Sequence, residues 1–180
     1  MIDQPKFLRA LDKKANSTPP IWYMRQAGRY LPEYRKIRSK FKNFLDMCKD
    51  PEVCCELALQ PIRRFDLDAS ILFSDILTIP DAFNLGVEFK EGEGPVFTRP
   101  IKDVKAIKNL PSFNPSDLSY VYKCVKNIRG SLPMSIPLIG FCGSPWTLAA
   151  YSLEGGSSKD FAFTRSFISE NSIQTQQLLK

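Results

Sequence analysis

Apolar residues recur at helical spacing at Phe7, Leu8 and Leu11, which predicts a short amphipathic helix between Pro5 and Lys13. Ser17-Thr18-Pro19-Pro20 breaks that pattern. Ile21 to Met24 is then a compact apolar run with the character of a short buried strand. Arg25-Gln26-Ala27-Gly28-Arg29 follows as a loop in which Gly28 supplies backbone freedom, and Tyr30 to Lys40 reads as a basic helix. Asp50-Pro51-Glu52 is a helix start, with an acceptor side chain at the cap and proline in the first turn. Cys54, Ala58, Ile62 and Phe65 line one face of this helix, and Pro61 is expected to kink it.

Leu67 to Phe73 is the strongest strand pattern, nearly continuous and apolar as in a strand covered on both faces, and Ser74-Asp75 closes it. Val87-Glu88-Phe89-Lys90 and Pro95-Val96-Phe97 alternate around Glu91-Gly92-Glu93-Gly94 as a hairpin would. Asn114-Pro115-Ser116 leads into a helix with Leu118, Val121, Tyr122 and Val125 on one stripe, stopped by Gly130. A second buried strand is predicted from Pro137 to Cys142, and Gly143-Ser144-Pro145 turns it into a helix carrying Trp146, Leu148 and Tyr151. Lys159 to Lys180 is one long helical pattern that ends without a glycine or proline terminator, as an element cut short would. Buried strand followed by helix, repeated, is the alternation of a parallel α/β fold.

Composition narrows the function. With 43% hydrophobic and 24% charged residues in 180, the chain has an ordinary globular balance, and a single domain spanning 1–180 is the expectation. No apolar run reaches the ~18 residues of a membrane span. Nor does an apolar core follow Met1 to Lys6 as in a signal peptide, so a cytoplasmic location away from membranes is expected. The five cysteines include no CxxC pair and read as reduced, mostly buried thiols. Histidine is absent, which removes His general bases, His metal ligands and Ser-His or Cys-His couples from these residues.

The net charge is +6, and Arg25, Arg29, Arg35, Lys36, Arg38 and Lys40 crowd together. They suit either an anionic partner or a solvated helix face. No nucleic-acid motif accompanies them, so a nucleic-acid partner is not expected.

Arg25 and Arg29, Asp75, and the segment Ser144 to Tyr151 each follow a candidate strand. In a β/α barrel the loops after the strand C-termini converge on one face, where active sites are built. Two arginines, a carboxylate and a tyrosine would suit a polyanionic substrate that develops positive charge during reaction. Each also has a structural alternative: the arginines as partners of Glu33, Asp75 as a helix cap, Tyr151 as core.

The run Pro20-Ile21-Trp22-Tyr23-Met24-Arg25-Gln26-Ala27-Gly28-Arg29-Tyr30-Leu31-Pro32-Glu33-Tyr34-Arg35 closely resembles the N-terminal signature of uroporphyrinogen decarboxylases. Cys54-Cys55-Glu56-Leu57-Ala58-Leu59-Gln60-Pro61, Phe73-Ser74-Asp75-Ile76-Leu77 and Gly140-Phe141-Cys142-Gly143-Ser144-Pro145-Trp146-Thr147-Leu148 are similar too, in family order. The resemblance covers the chain from about Phe7 onward.

It implies an α/β fold, a (β/α)8 TIM barrel of which only the N-terminal portion is present. It also implies conversion of the four acetate arms of uroporphyrinogen III to methyl groups, giving coproporphyrinogen III in haem biosynthesis, with no metal or organic cofactor and with a homodimer at full length. Carried onto this sequence, it places Arg25, Gln26, Ala27, Gly28 and Arg29 in the substrate loop, with Arg25 and Arg29 also as catalytic candidates. Asp75 falls at the centre of the site, Tyr151 in its wall and Arg38 at its rim.

Family members run to about twice this length, and a closed barrel needs about 250 residues. The family's substrate-binding serine and C-terminal histidine lie in the other half, so decarboxylation by these 180 residues alone is not expected. A non-catalytic fragment or split-gene partner, or a related barrel methyltransferase, are the alternative readings.

Overall fold

Asp50 starts the longest helix of the described residues, and most of one packing unit is built against it. The computed structural model describes residues 4–24, 30–90 and 92–180. Contacts divide the chain into two compact units interleaved in sequence, Met1–Ser74 with Ser119–Phe141 and Asp75–Leu118 with Cys142–Lys180.

In the first unit the helices are α1 (Lys6–Leu11), α2 (Pro32–Arg38), α3 (Phe44–Cys48), α4 (Pro51–Arg64) and α7 (Ser119–Ser131). Asp50 accepts the Glu52 and Val53 amides at 3.0 and 3.1 Å, satisfying two of the four orphan donors at the α4 N-terminus. The helix continues past Pro61 to Arg64, and Pro61 itself is buried. Cys54 and Ala58 meet Cys124 and Ile128 of α7, with Leu72 and Leu132 completing the cluster. Leu31 and Tyr34 pack with Met47 and Leu57 into a second cluster, against which Phe73 lies with ring centroids 6.3 Å from Tyr34 and 6.1 Å from Phe44. Each fully buried side chain of this size contributes roughly 1.5–3 kcal/mol.

Two short strands, β1 (Ser70–Ile71) and β4 (Leu138–Ile139), pair in parallel with Ser70 opposite Leu138 and Ile71 opposite Ile139. Flanking bonds from Ser70 N to Pro137 O (3.0 Å) and Leu72 N to Ile139 O (2.9 Å) extend the ladder slightly. Ala69 and Ser70 are fully buried, and the Ser70 hydroxyl donates to Ala58 O of α4 at 3.2 Å.

Several expectations for this unit need correction. The strands predicted over Leu67 to Phe73 and Pro137 to Cys142 shrink to two residues each, because each has one ladder partner among the described residues. Ile21 to Met24 is not a strand: Ile21, Tyr23 and Met24 are exposed, and Asp68 takes the Ile21 amide (2.6 Å) while donating its own amide to Ile21 O (2.9 Å). A side-chain carboxylate there occupies the place of a neighbouring strand. The basic helix is shorter than Tyr30 to Lys40, beginning at Pro32 with proline in its first turn. On α7 the buried stripe runs through Cys124 and Ile128, leaving Tyr122 and Val125 exposed, and the helix carries past Gly130 to Ser131. Phe65 caps α4 and is exposed rather than on its buried face.

The second unit holds α5 (Thr78–Ala82), β2 (Val87–Lys90), β3 (Gly94–Phe97), α6 (Val104–Lys108), α8 (Pro145–Glu154), α9 (Ala162–Glu170) and α10 (Ser172–Leu178). The strands β2 and β3 form the expected antiparallel hairpin, Val87 opposite Phe97 and Lys90 opposite Gly94. It docks on the end of α8 through Phe97 N to Gly155 O at 3.0 Å and a bridge between Val96 and Gly156. A Cβ at Gly156 (φ +151°) would lie 2.6 Å from Pro95 O, so this close approach requires glycine.

The single helix predicted over Lys159 to Lys180 is two. Asn171, at φ −130° and ψ 50°, leaves the helical region, and its side-chain amide returns to Phe167 O at 3.2 Å.

Candidate active site

The chain leaving β1 reaches Asp75 four residues later. Its Oδ1 accepts the Leu77 amide at 2.8 Å, closing a turn ahead of α5, whose cap residue is Leu77. Asp75 therefore serves a turn and not the helix cap. The residue is half-buried, and no ion pair holds it among the described residues. Burial raises its pKa above the ordinary carboxylate value, and the Leu77 N–H offsets only part of that.

The loop after β4 arrives at the same place. A Cβ at Gly143 would be 2.6 Å from Leu148 Cδ2 and 3.4 Å from Ile76 Cβ, so this loop lies against the residue that follows Asp75. Ser144 then accepts the Thr147 amide at 3.1 Å and Pro145 opens α8. Tyr151 stands near the far end of α8, half-buried, with its ring edge-on to Phe161 at 6.2 Å and 78°. The structure thus brings the two post-strand loops together, and Asp75 and Tyr151 belong to one unit.

Arg38 belongs to the other unit, half-buried, and its Nη1 donates to Phe41 O at 2.6 Å, closing the turn after α2. Glu33, considered as a partner for the loop arginines, receives Arg64 Nη1 on both oxygens at 2.7 and 2.9 Å. Sequence reading missed that pair, since 31 positions separate the two residues and only the packing of α2 on α4 joins them. Arg25, Gln26, Ala27, Gly28 and Arg29 lie outside the described residues.

Of the cysteines, Cys48, Cys54, Cys55 and Cys124 are buried and Cys142 is exposed, all as free thiols. Cys54 donates to Met47 O and Cys48 O at 3.4 and 3.3 Å. Its neighbour Cys124 and then burial push its pKa far up, so it remains a protonated packing group. Among the described residues no group of three or more Cys, Asp or Glu is placed to hold a metal ion, and no helix is long and apolar enough to cross a membrane.

Comparison with known proteins identifies the family. The family model described as uroporphyrinogen decarboxylase (URO-D) matches residues 3–180. The chain belongs to the uroporphyrinogen decarboxylase family. A uroporphyrinogen decarboxylase of Legionella pneumophila (strain Corby) is 60% identical over 162 residues, covering 89% of this chain and 46% of that protein. One from Acinetobacter baumannii (strain AYE) is 57% identical over 165 residues, 91% of this chain and 46% of its own length. The chain thus spans about half the length of these curated relatives.

Among solved structures, a methyltransferase from Methanosarcina mazei superposes with a TM-score of 0.68 at 17% identity, over 97% of this chain and 50% of that one. At that identity the likeness concerns the fold alone. The uroporphyrinogen decarboxylase fold is a (β/α)8 barrel, and this chain is a partial, N-terminal portion of it.

Proposed function

We propose that residues 1–180 form one incomplete barrel domain supplying the substrate-cradling half of a cytoplasmic uroporphyrinogen decarboxylase, homodimeric at full length. Such an enzyme converts the four acetate arms of uroporphyrinogen III to methyl groups without metal or organic cofactor. The observation that carries the reading is Asp75, a half-buried carboxylate four residues beyond β1 with one oxygen engaged by Leu77 and no cation paired with it among the described residues.

Losing carbon dioxide leaves an electron pair that needs a sink. Protonating the attached pyrrole makes that ring cationic, and the pair from the breaking C–C bond flows into it. A second proton then completes the methyl group while the ring gives up its own. Asp75 accepts the pyrrole N–H groups and faces the cation: at about 4 Å and an effective dielectric near 20, such a pair contributes roughly 4 kcal/mol. Realised only in the transition state, that is about three decades in rate. Arg25 and Arg29, with the Gln26-Ala27-Gly28 backbone between them, grip substrate carboxylates by charged forks, while Arg38 contributes at the rim and Tyr151 forms part of the wall.

Asp75→Asn, made in a chain of the relatives' full length, is expected to cut turnover about a thousandfold while tetrapyrrole affinity changes only a few-fold. Near-normal turnover would remove the cation-stabilising role. Arg25→Ala is expected to weaken binding of the substrate through its carboxylates, and unchanged affinity would count against its place in the loop. Because the chain spans about half its relatives' length, the second reading, a fragment that needs another polypeptide for activity, has equal support for the isolated 180 residues.

A further inference from the structure

The last turn of α8, which carries Tyr151, has every terminal carbonyl engaged. Ala150 O accepts the Thr164 hydroxyl at 3.3 Å, Tyr151 O the Gly155 amide at 2.9 Å, and Ser152 O the Ile101 amide at 2.8 Å. Leu153 O and Glu154 O both accept Lys102 Nζ, at 2.8 and 2.9 Å. A helix end normally leaves four such groups to solvent or to a single cap. Here donors from two separate segments of the unit converge on it.

The contacts are also reciprocal. Glu154 Oε2 accepts both the Thr164 hydroxyl (2.8 Å) and the Thr164 amide (3.1 Å), so a side chain of α8 satisfies an orphan donor in the first turn of α9. Lys102 Nζ sits 4.3 Å from the centre of the Phe163 ring, one residue before Thr164. Two residues before Phe163, Phe161 packs edge-on against Tyr151 and holds a left-handed backbone at φ 50°. The same few residues therefore fix the backbone beneath Tyr151 and the aromatic ring beside it.

We propose that Thr164, Glu154 and Lys102 act as a lock that sets the orientation of the Tyr151 phenol toward substrate. Thr164 is the central positioning residue. It is buried, and its one hydroxyl joins the carbonyl preceding Tyr151 to the carboxylate three residues after it. The inference rests on the reading of Tyr151 as part of the site wall and goes beyond it by naming what holds that wall.

The test is a mutant cycle in a chain of the relatives' full length, following coproporphyrinogen formation with Thr164→Val, Thr164→Ser, Tyr151→Phe and the Thr164→Val/Tyr151→Phe double variant. Thr164→Val is expected to lower kcat/KM about tenfold, misplacement of a site group being costly. Thr164→Ser, which keeps the hydroxyl, restores most of the loss, and the double variant is no worse than Tyr151→Phe alone. Lys102→Met, at an exposed position that spares the core, is expected to show the same dependence on Tyr151 and serves if Thr164→Val does not fold. Losses that multiply, or a Thr164→Ser variant as impaired as Thr164→Val, would overturn the lock. An impaired Tyr151→Phe beside unimpaired Thr164→Val and Lys102→Met overturns the lock alone, whereas an unimpaired Tyr151→Phe removes Tyr151 from the site and the lock with it.

Discussion

At the scale of single residues, Asp75 is costly to keep. Burial raises its pKa, so the native state holds this proton more tightly than the unfolded chain does. Its contribution to stability is full below the ordinary carboxylate range and is lost as pH rises through the raised value. At neutral pH the charged group therefore lowers stability, and Asp75→Asn is expected to raise the melting temperature of the 180-residue chain at pH 7. Thermal unfolding checks this, and a lower melting temperature would contradict the burial argument. Stability gained while turnover is lost is the pattern expected of a site group placed against its own solvation.

The thiols divide as sharply: Cys142 is exposed and the other four are buried. In the native chain an aromatic disulfide reagent is expected to titrate one thiol rapidly and all five only after unfolding. Cys142→Ser should abolish the fast phase. Glu154 shows the opposite sign to Asp75. Burial works to raise its pKa, but the Thr164 hydroxyl and amide, Ser158 and the charge of Lys102 outweigh it and hold the group low. The stability it contributes is present above the ordinary carboxylate range and is lost as pH falls through that lowered value.

At the scale of elements, Ile128 is fully buried between α7 and α4, and Ile128→Ala is expected to cost about 2–5 kcal/mol in denaturant unfolding. Val125→Ala, on the exposed side of the same helix, should stay within about 0.5 kcal/mol. Equal losses would restore the stripe expected from sequence. At the start of α4, Asp50→Ala is expected to cost about 1 kcal/mol, since two amides lose their acceptor.

What was legible follows the same division. The Asp50 cap, the glycine-bearing hairpin and the starts of α4 and α8 are decided within a few residues, and sequence predicted them. Strand extent depends on which chain lies alongside, so β1 and β4 could not be bounded from their own residues. The α7 stripe was misplaced by treating Tyr122 and Val125 as inward, when Cys124 and Ile128 pack better against the small Cys54 and Ala58. The break at Asn171 hid inside an unbroken apolar period. Of the candidate site, Asp75 and Tyr151 were marked by position after strands and by family motif. Lys102 and Thr164 carried no local signal, because their roles exist only where α8, α9 and the chain after β3 meet.

At the scale of the molecule, about half of each curated relative has no counterpart in these residues. The 180-residue chain alone is accordingly expected to form no coproporphyrinogen, and activity should appear when a polypeptide carrying the remaining half is supplied. Activity of the isolated chain in a direct product assay would refute this.

The interleaving of the two units bears on how the protein is made. The apolar face of α4 leaves the ribosome well before α7, its main packing partner, because residues 75–118 of the other unit come between. At about 5–20 residues per second, the wait lasts several seconds. A nascent chain paused near Leu118 would present Cys54, Ala58 and Leu72 without Cys124, Ile128 and Leu132, which complete their cluster. Translation speed over 75–118 should then govern yield, with slow codons there increasing the demand for chaperones that hold unfinished chains.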